Sequence, residues 1–600
     1  MDKKMLKRTR FFIFLVVLIF IILSSRLAYL QILQYDHYWN MAERNRLRIL
    51  PITAPRGEVF DKNGEQLVTN RPGFTVSLVD LGKGYSDNAI SYLGELLEME
   101  EQDIREKIRS QYYRRYLPIR LKTDVKIETV SKIAERRMEL PGVLIEIQPI
   151  RNHVSGNFAS HLLGYLSEGT APDWIRDYWR GEGYEYQLGD LVGQAGIELV
   201  WETYLQGQDG GLQVEVNSTG QSIREFERVE PIPGHDLYLT IDARLQAAVE
   251  QSLKDVVEGL ISENNTFAGE AAAVVLDPNS GRILAMASNP SYDPNTFRHD
   301  FPELSKDPRR PLLNKTIEEH FPVGSTFKMV PAMAALQEGK ISATERVHCS
   351  GTVTRYGATK SCFRGTAHGS LNVYEAIQKS CNIFFYEMGL KLGIDTLAQY
   401  SREFGFGNPV GLKDIFGEKR GIVSSREYKT AVFNEPWYPA ETMDSAIGQS
   451  FHSITPLQLA NYVAMIANGG IHYRPYLVER VVDSEGSIVI LAEPEVLYYM
   501  EADKKNWDII RQGMSMVTSP GGTGVRLADL PVKIAGKTGT AQVVGKDGTI
   551  PAHSLFVGYA PADAPEIAFA VFIKHGESSG STSIPVARRI VEEYFGILYE

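Results

Sequence analysis

The chain opens with an abrupt change from charge to unbroken apolarity. Lys3, Lys4, Lys7, Arg8 and Arg10 precede an apolar run over 11–23, and the mixed stretch 24–34 continues the spacing with Leu27, Leu30 and Leu33. Wound as a helix, 11–33 spans about 35 Å at about 1.5 Å per residue, enough to cross a bilayer. Arg26 lies near its far end, where a long side chain reaches the headgroups. A cleaved signal peptide shares the basic start and the short apolar core. No Ala-x-Ala-like site follows the run, however, and the apolar period continues past it, which favours an uncleaved anchor. The positive-inside rule keeps the tail 1–10 in the cytoplasm and puts everything from about residue 35 outside.

Beyond the anchor the periods shorten and alternate. Residues 54–64 read as strand and turn, with Lys62-Asn63-Gly64 as a hairpin signal. Helical spacing with charged outer faces runs over about 88–111 and 126–137, while 116–122 and 143–148 read as strands. A Gly-rich segment, 189–211, supplies turns, since no strand–GxGxxG–helix order is present. Pro231-Ile232-Pro233-Gly234 marks a boundary between a pedestal domain, 35–235, and a second domain, 236–600. There 237–241 reads as a strand, 245–260 as a helix, and 271–276 as a strand turning at 277–281 into 282–287. This order predicts an α+β fold whose second domain has a central antiparallel sheet flanked by helices.

Six hundred residues exceed one core and imply several domain-sized pieces. Apolar (43%) and charged (23%) contents are those of a folded protein. A net charge of −11 leaves no basic excess to displace counterions, which argues against nucleic acid as a partner.

Three short strings carry the candidate chemistry: Ser325-Thr326-Phe327-Lys328, Ser380-Cys381-Asn382 and Lys537-Thr538-Gly539-Thr540. Pro322-Val323-Gly324 breaks the chain before Ser325, and Phe327, Val330, Ala334 and Leu336 then recur at helical spacing. Ser325 thus falls on the first turn of a helix, with Lys328 one turn on along the same face. Free N–H groups at a helix start favour an oxyanion. A serine needs a neighbour to take its proton, and Lys328 can do so if burial and a second cation, Lys537, lower its pKa. Ser380 is placed to relay a proton to a leaving amine, and Asn382 to orient Lys328 and hold a substrate amide. Lys537 to Thr540 lies on or beside a strand between 532–535 and 541–544. Its edge can align a peptide, its hydroxyls and Lys537 can bind a carboxylate, and the Thr540 N–H can join that of Ser325 in an oxyanion hole. Each string alone also reads as an ordinary cap or surface lysine; order and spacing together reverse that reading.

Together the three strings resemble the active-site boxes of the class B penicillin-binding proteins. The likeness covers nearly the whole chain. Asn45-Arg46, Ala54-Pro55-Arg56-Gly57, His161-Leu162-Leu163-Gly164-Tyr165, Gly193-x-x-Gly196-Ile197-Glu198, Leu239-Thr240-Ile241-Asp242 and Ile447-Gly448-Gln449 resemble further family segments. The stretch 214–240 is similar to the elongation type, penicillin-binding protein 2, with the division type as the alternative. The resemblance implies D,D-transpeptidation of peptidoglycan stem peptides, with a pentapeptide donor and an amine acceptor. It further implies acylation of Ser325 by β-lactams, no cofactor for catalysis, and a bacterial cell-membrane location. The implied partner is a membrane-embedded glycan polymerase of the shape, elongation, division and sporulation family. A β-lactam-hydrolysing enzyme would need a base to activate water, and no glutamate motif offers one. A non-catalytic sensor is disfavoured by intact Ser325, Lys328 and Lys537. The cysteine inside the second box departs from the Ser-Asp-Asn form.

All three cysteines fall in one window, Cys349-x12-Cys362-x5-His368-x12-Cys381. Three thiolates and an imidazole can close a structural zinc shell. Elongation-type relatives are similar in placing metal ligands around this segment. A Cys349–Cys362 disulfide with Cys381 free suits an oxidising compartment, and three unlinked thiols are the third arrangement. His553, Met329 and Met333 read as packing residues.

Overall fold

The computed structural model describes residues 3–36, 38–39, 47–79, 85, 87–111, 118–168, 190–216, 222–543 and 550–597. Asn45, Arg46, Gly189, Val544 and the start of the strand expected from residue 116 lie outside these residues. The fold is α+β. Its chain packs into two units, each gathered from separate stretches. One comprises Met1–Pro55, Arg71–Ile150 and Gly207–Pro233; the other comprises Arg56–Asn70, Arg151–Gln206 and Gly234–Glu600. The second unit therefore takes in two stretches that sequence order puts within 35–235.

In the first unit, helix α1 (Lys3–Ala28) runs on into a π-helical turn, Tyr29–Leu33. Among the described residues it is the one helix long and apolar enough to cross a membrane. Leu47–Ile52, Gly210–Val216 and Ser222–Val229 form an antiparallel three-stranded sheet. The helical spacing over 88–111 resolves into two helices, Asp87–Leu97 and Glu101–Gln111, and Ile127–Glu135 forms a third. Leu93, Ile104 and Ile133 from these helices bury against Val76 and Leu121 of two paired strands.

The second unit is built on five antiparallel strands: β1 (Ala271–Leu276), β2 (Ile283–Asn289), β3 (Ala535–Ala541), β4 (His553–Ala560) and β5 (Ile567–Ile573). Their order is β2-β1-β5-β4-β3, so the strand with the third box is an edge. Both faces of β1 are covered, which explains its unbroken Ala-Ala-Ala-Val-Val-Leu run. Ala271, Ala273 and Val275 face one core; Val274 and Leu276 face another. On the first face α2 (Ala243–Ser262) lays down Leu245, Val249, Leu253 and Val257, one per turn. The Asp242 carboxylate caps it, accepting from the N–H groups of Arg244 and Leu245. The opposite face packs against α5 (Pro456–Asn468), and α3 (Met329–Gln337) and α4 (Asn382–Glu403), packed on each other, join the same core, with Met329 and Met333 fully buried.

The hairpin at Lys62-Asn63-Gly64 forms because the Asp61 carboxylate accepts from the N–H groups of Asn63 (2.8 Å) and Glu65 (2.7 Å). The 189–211 segment holds more than turns: Glu198 and Glu202 lie on short helices and are buried. Arg56 bonds both, to Glu198 at 2.6 Å and to Glu202 at 2.8 Å, and Arg151 bonds Glu198 at 2.6 Å. This buried cluster ties the Arg56–Asn70 and Arg151–Gln206 stretches together inside the unit. Burial alone would lower Arg56, but the Glu202 and Glu198 carboxylates outweigh it and hold it above its ordinary value, and the two guanidinium groups hold Glu198 down to about 2 despite its burial.

Candidate active site

The turn that carries Ser325 is pressed against the edge strand. Gly324 has φ +52°, and a Cβ there would lie 2.6 Å from the Thr540 carbonyl oxygen. Only glycine allows both the left-handed turn and that approach. From the other side, a Cβ on Gly539 would meet the Thr326 side chain at 2.7 Å. Gly324–Phe327 is a 3₁₀ turn, tighter than the expected α-turn, and leads directly into α3. Thr326 Oγ1 fixes it by donating to the Val323 carbonyl at 2.8 Å. Lys328 and Phe327 are fully buried, whereas Ser325 stays partly open.

Lys328 Nζ reaches the second box, bonding the Ser380 carbonyl at 2.8 Å, Asn382 Oδ1 at 2.7 Å and Ser380 Oγ at 3.2 Å. The Phe385 ring closes over it, 5.5 Å from Nζ to the centroid. Lys537 Nζ, also fully buried, donates to the same Ser380 Oγ at 2.8 Å and to the Thr538 carbonyl at 2.9 Å. One hydroxyl therefore accepts from two lysines, which spends its lone pairs and leaves its proton to donate elsewhere. Burial lowers Lys328 to about 8, against a smaller upward pull from the Cys381 and Cys362 thiols. Burial and then the Lys328 charge push Lys537 well below an ordinary lysine.

The second box is a strained corner between helix Val373–Gln378 and α4. Ser380 has φ +53°. A non-glycine residue there costs on the order of 1–3 kcal/mol, a strain that clusters at functional sites. Asn382 is held from behind: its N–H donates to Cys362 Sγ (3.3 Å) and its Nδ2 to the Ser361 carbonyl (3.3 Å). That leaves Oδ1 aimed at Lys328.

The third box lies on β3 itself, one of the two positions expected for it. Thr538 Oγ1 is 2.7 Å from Thr523 Oγ1, and Ser579 Oγ donates to the Gly539 carbonyl at 2.9 Å. Thr523 and Ser579 escape sequence reading because one sits in a glycine-rich turn and the other in a serine-rich loop, where hydroxyls are commonplace. Gly448 accepts from the Gly324 N–H at 2.9 Å. Its only sequence signal was the short Ile447-Gly448-Gln449 string. His553 packs: its Nδ1 accepts from the His575 N–H (3.1 Å) and its ring meets Phe572 edge-on.

The four zinc candidates converge beside this corner. Cys349, Cys362, His368 and Cys381 bring ligand atoms within 4.8 Å of one another. His368 Nδ1 is 3.6 Å from Cys349 Sγ and 3.4 Å from Cys362 Sγ. Sulfurs bound to one tetrahedral ion at about 2.3 Å would stand about 3.8 Å apart, so the donor set and its spacing fit zinc. Cys349, Cys362 and Cys381 are free thiols in the structure, with no Cys349–Cys362 bond.

Residues 271–592 match the penicillin binding protein transpeptidase domain, and 51–239 match the penicillin-binding protein dimerisation domain. The chain belongs to the class B penicillin-binding proteins, in the elongation type. It is 32% identical to the peptidoglycan D,D-transpeptidase MrdA of Acinetobacter baumannii over 97% of this chain and 87% of that protein. A complex of penicillin-binding protein 2 with MreC from Helicobacter pylori superposes with a TM-score of 0.76 at 25% identity, covering 92% of this chain and 100% of that one. A chain from a peptidoglycan synthase complex that coordinates polymerization and crosslinking does so with a TM-score of 0.72 at 29% identity, covering 99% of each. The protein is a serine-type D,D-transpeptidase of peptidoglycan, and this family needs no cofactor for the reaction.

Proposed function

We propose that Ser325 is the acylated nucleophile and that Lys328, Ser380, Asn382 and Lys537 handle its protons. Ser325 Oγ attacks the carbonyl of the penultimate D-alanine of a pentapeptide stem as neutral Lys328 removes its proton. The N–H groups of Ser325 and Thr540 hold the oxyanion. Ser380, fed by Lys328 and Lys537, passes a proton to the departing D-alanine amine. The amine of a neighbouring stem then attacks the acyl-enzyme, and the protons return by the same path. Lys537, Thr538 and Thr540 anchor the terminal carboxylate, Gly539 leaves the backbone of β3 open to the donor, and Asn382 holds its amide. The observation that carries this reading is the sharing of Ser380 Oγ by two buried lysines beside the nucleophile turn. A fluorescent penicillin should modify one peptide, the one containing Ser325, and Ser325→Ala should abolish both labelling and cross-linking. An adduct on any other side chain overturns the assignment.

Cys349, Cys362, His368 and Cys381 would hold a structural zinc with no open position. Its chemistry is to fix these ligands, and through Cys362 and Cys381 the corner that carries Ser380 and Asn382. One equivalent of zinc in the purified protein is expected; less than about a tenth excludes it. We further propose that 11–33 spans the bacterial cell membrane with 1–10 cytoplasmic, and that 35–235 is the pedestal of an extracytoplasmic transpeptidase domain, 236–600. The partner is a glycan polymerase of the shape, elongation, division and sporulation family, in keeping with the similar chain of the peptidoglycan synthase complex.

A further inference from the structure

A closed ring of contacts leads out from the nucleophile turn and back to it. Lys328 meets Asn382, and Asn382 Nδ2 donates to the Ser361 carbonyl. The preceding residue, Lys360, pairs through Nζ with Asp444 Oδ2 at 2.7 Å. The Asp444 carbonyl accepts from the Gln449 N–H at 3.0 Å, and the adjacent Gly448 carbonyl accepts from Gly324. Lys360–Asp444 is the link in this ring made by two charged side chains, and they are 29% and 30% exposed. It spans from the hairpin strand Ala358–Ser361 to the helix Pro439–Ser445, beside the corner that holds Asn382. Between Glu345 and Glu375 the sequence has Arg346, Arg355, Lys360 and Arg364 but no acid, in a chain of net charge −11. Arg346 pairs with Glu375 and Arg355 with Glu387. Lys360 takes its acid from across the ring.

We propose that Lys360 and Asp444 form a subsite for the diamino acid of the donor stem peptide, at the free end of that residue's side chain. Lys360 takes the carboxylate there and Asp444 the ammonium. The inference rests on the reading of Ser325 as nucleophile and Asn382 as the holder of the donor amide. A solvent-reached ion pair at the surface is worth about 0–1 kcal/mol, so opening it costs little. A ligand end bearing one charge of each sign replaces one pair by two and brings no net charge to the rim. A single ammonium could satisfy Asp444 alone and would leave Lys360 without its acid. The paired arrangement therefore selects a zwitterionic side-chain end over a simple amine.

The test uses the full chain in detergent and three synthetic pentapeptide donors. One has the free carboxylate and free amine at the end of its diamino acid, one is amidated there, and one is acetylated on the amine. The unaltered protein should favour the zwitterionic stem by about tenfold in kcat/KM, mostly through KM. Lys360→Met should erase the preference over the amidated stem, and Asp444→Asn the preference over the acetylated one. Equal losses on all three stems, or losses confined to kcat, would overturn the subsite. Penicillin labelling of Ser325 in the unaltered chain separates the two readings. Labelling intact with no stem preference sinks the subsite alone; failure to label sinks the reading beneath it.

Discussion

Ser380 is the residue on which the geometry makes its most exacting demand, because its hydroxyl and its backbone can be tested apart. Ser380→Ala removes the oxygen that Lys537 Nζ reaches at 2.8 Å and Lys328 Nζ at 3.2 Å. Lys328 retains the Ser380 carbonyl and Asn382, and Lys537 retains the Thr538 carbonyl, so each buried amine loses one partner of several. A lost partner on a buried polar group costs about 1–3 kcal/mol. The φ of +53° remains a burden with alanine. Ser380→Gly removes the same oxygen but relieves the left-handed strain, worth about 1–2 kcal/mol. The two variants should therefore share one activity and differ in stability. Acylation by a fluorescent penicillin, followed by stopped flow, should fall by about 10²–10⁴-fold in both, the usual worth of a positioned proton carrier. In urea, Ser380→Gly should unfold later than Ser380→Ala by about 1 kcal/mol. If either variant acylates within threefold of the unaltered protein, the shuttle assignment is wrong. If alanine proves the more stable, the strain argument is wrong.

Acylation should rise with pH through about 8 and then level, because Lys328 accepts the proton of Ser325 only when neutral and burial lowers it to about 8. Rates from pH 6 to 10 check this, and a flat profile would remove Lys328 as base. The same lowering means the unfolded chain binds the extra proton between about pH 8 and pH 10.4, so this group's contribution to stability rises with pH across that window. Gly324→Ala puts a methyl 2.6 Å from the Thr540 carbonyl at φ +52°, so the turn must leave β3. Penicillin acylation should drop at least about 100-fold with circular dichroism unchanged, since geometric misplacement of this size costs about that much. Arg56→Leu takes from the buried Glu198 and Glu202 the guanidinium they share, leaving Glu198 with Arg151 and Glu202 with the Gly193 N–H among its contacts. Thermal unfolding should report a loss of about 3–5 kcal/mol, and a loss below about 1 would show the cluster to be solvated.

The local sequence decided where strands and helices begin. β1 appears at the residues its apolar run predicts, 271–276, and α2 extends the expected helix because Asp242 supplies a cap just before it. The N-terminal apolar helix was legible too, since a bilayer-length apolar run needs no partner to be recognised. The three candidate strings were readable as residue types in order, because acyl transfer requires a nucleophile, a base and a carboxylate anchor whatever the fold. What no local pattern contains is the meeting of residues 328, 380 and 537 around one hydroxyl. That depends on α3, the 380 corner and an edge strand closing on one another, and on glycines that let backbones touch. The buried Arg56–Glu198–Glu202–Arg151 cluster was hidden for the same reason. Each of those residues alone reads as solvated charge, and only long-range packing excludes the water that would make it so.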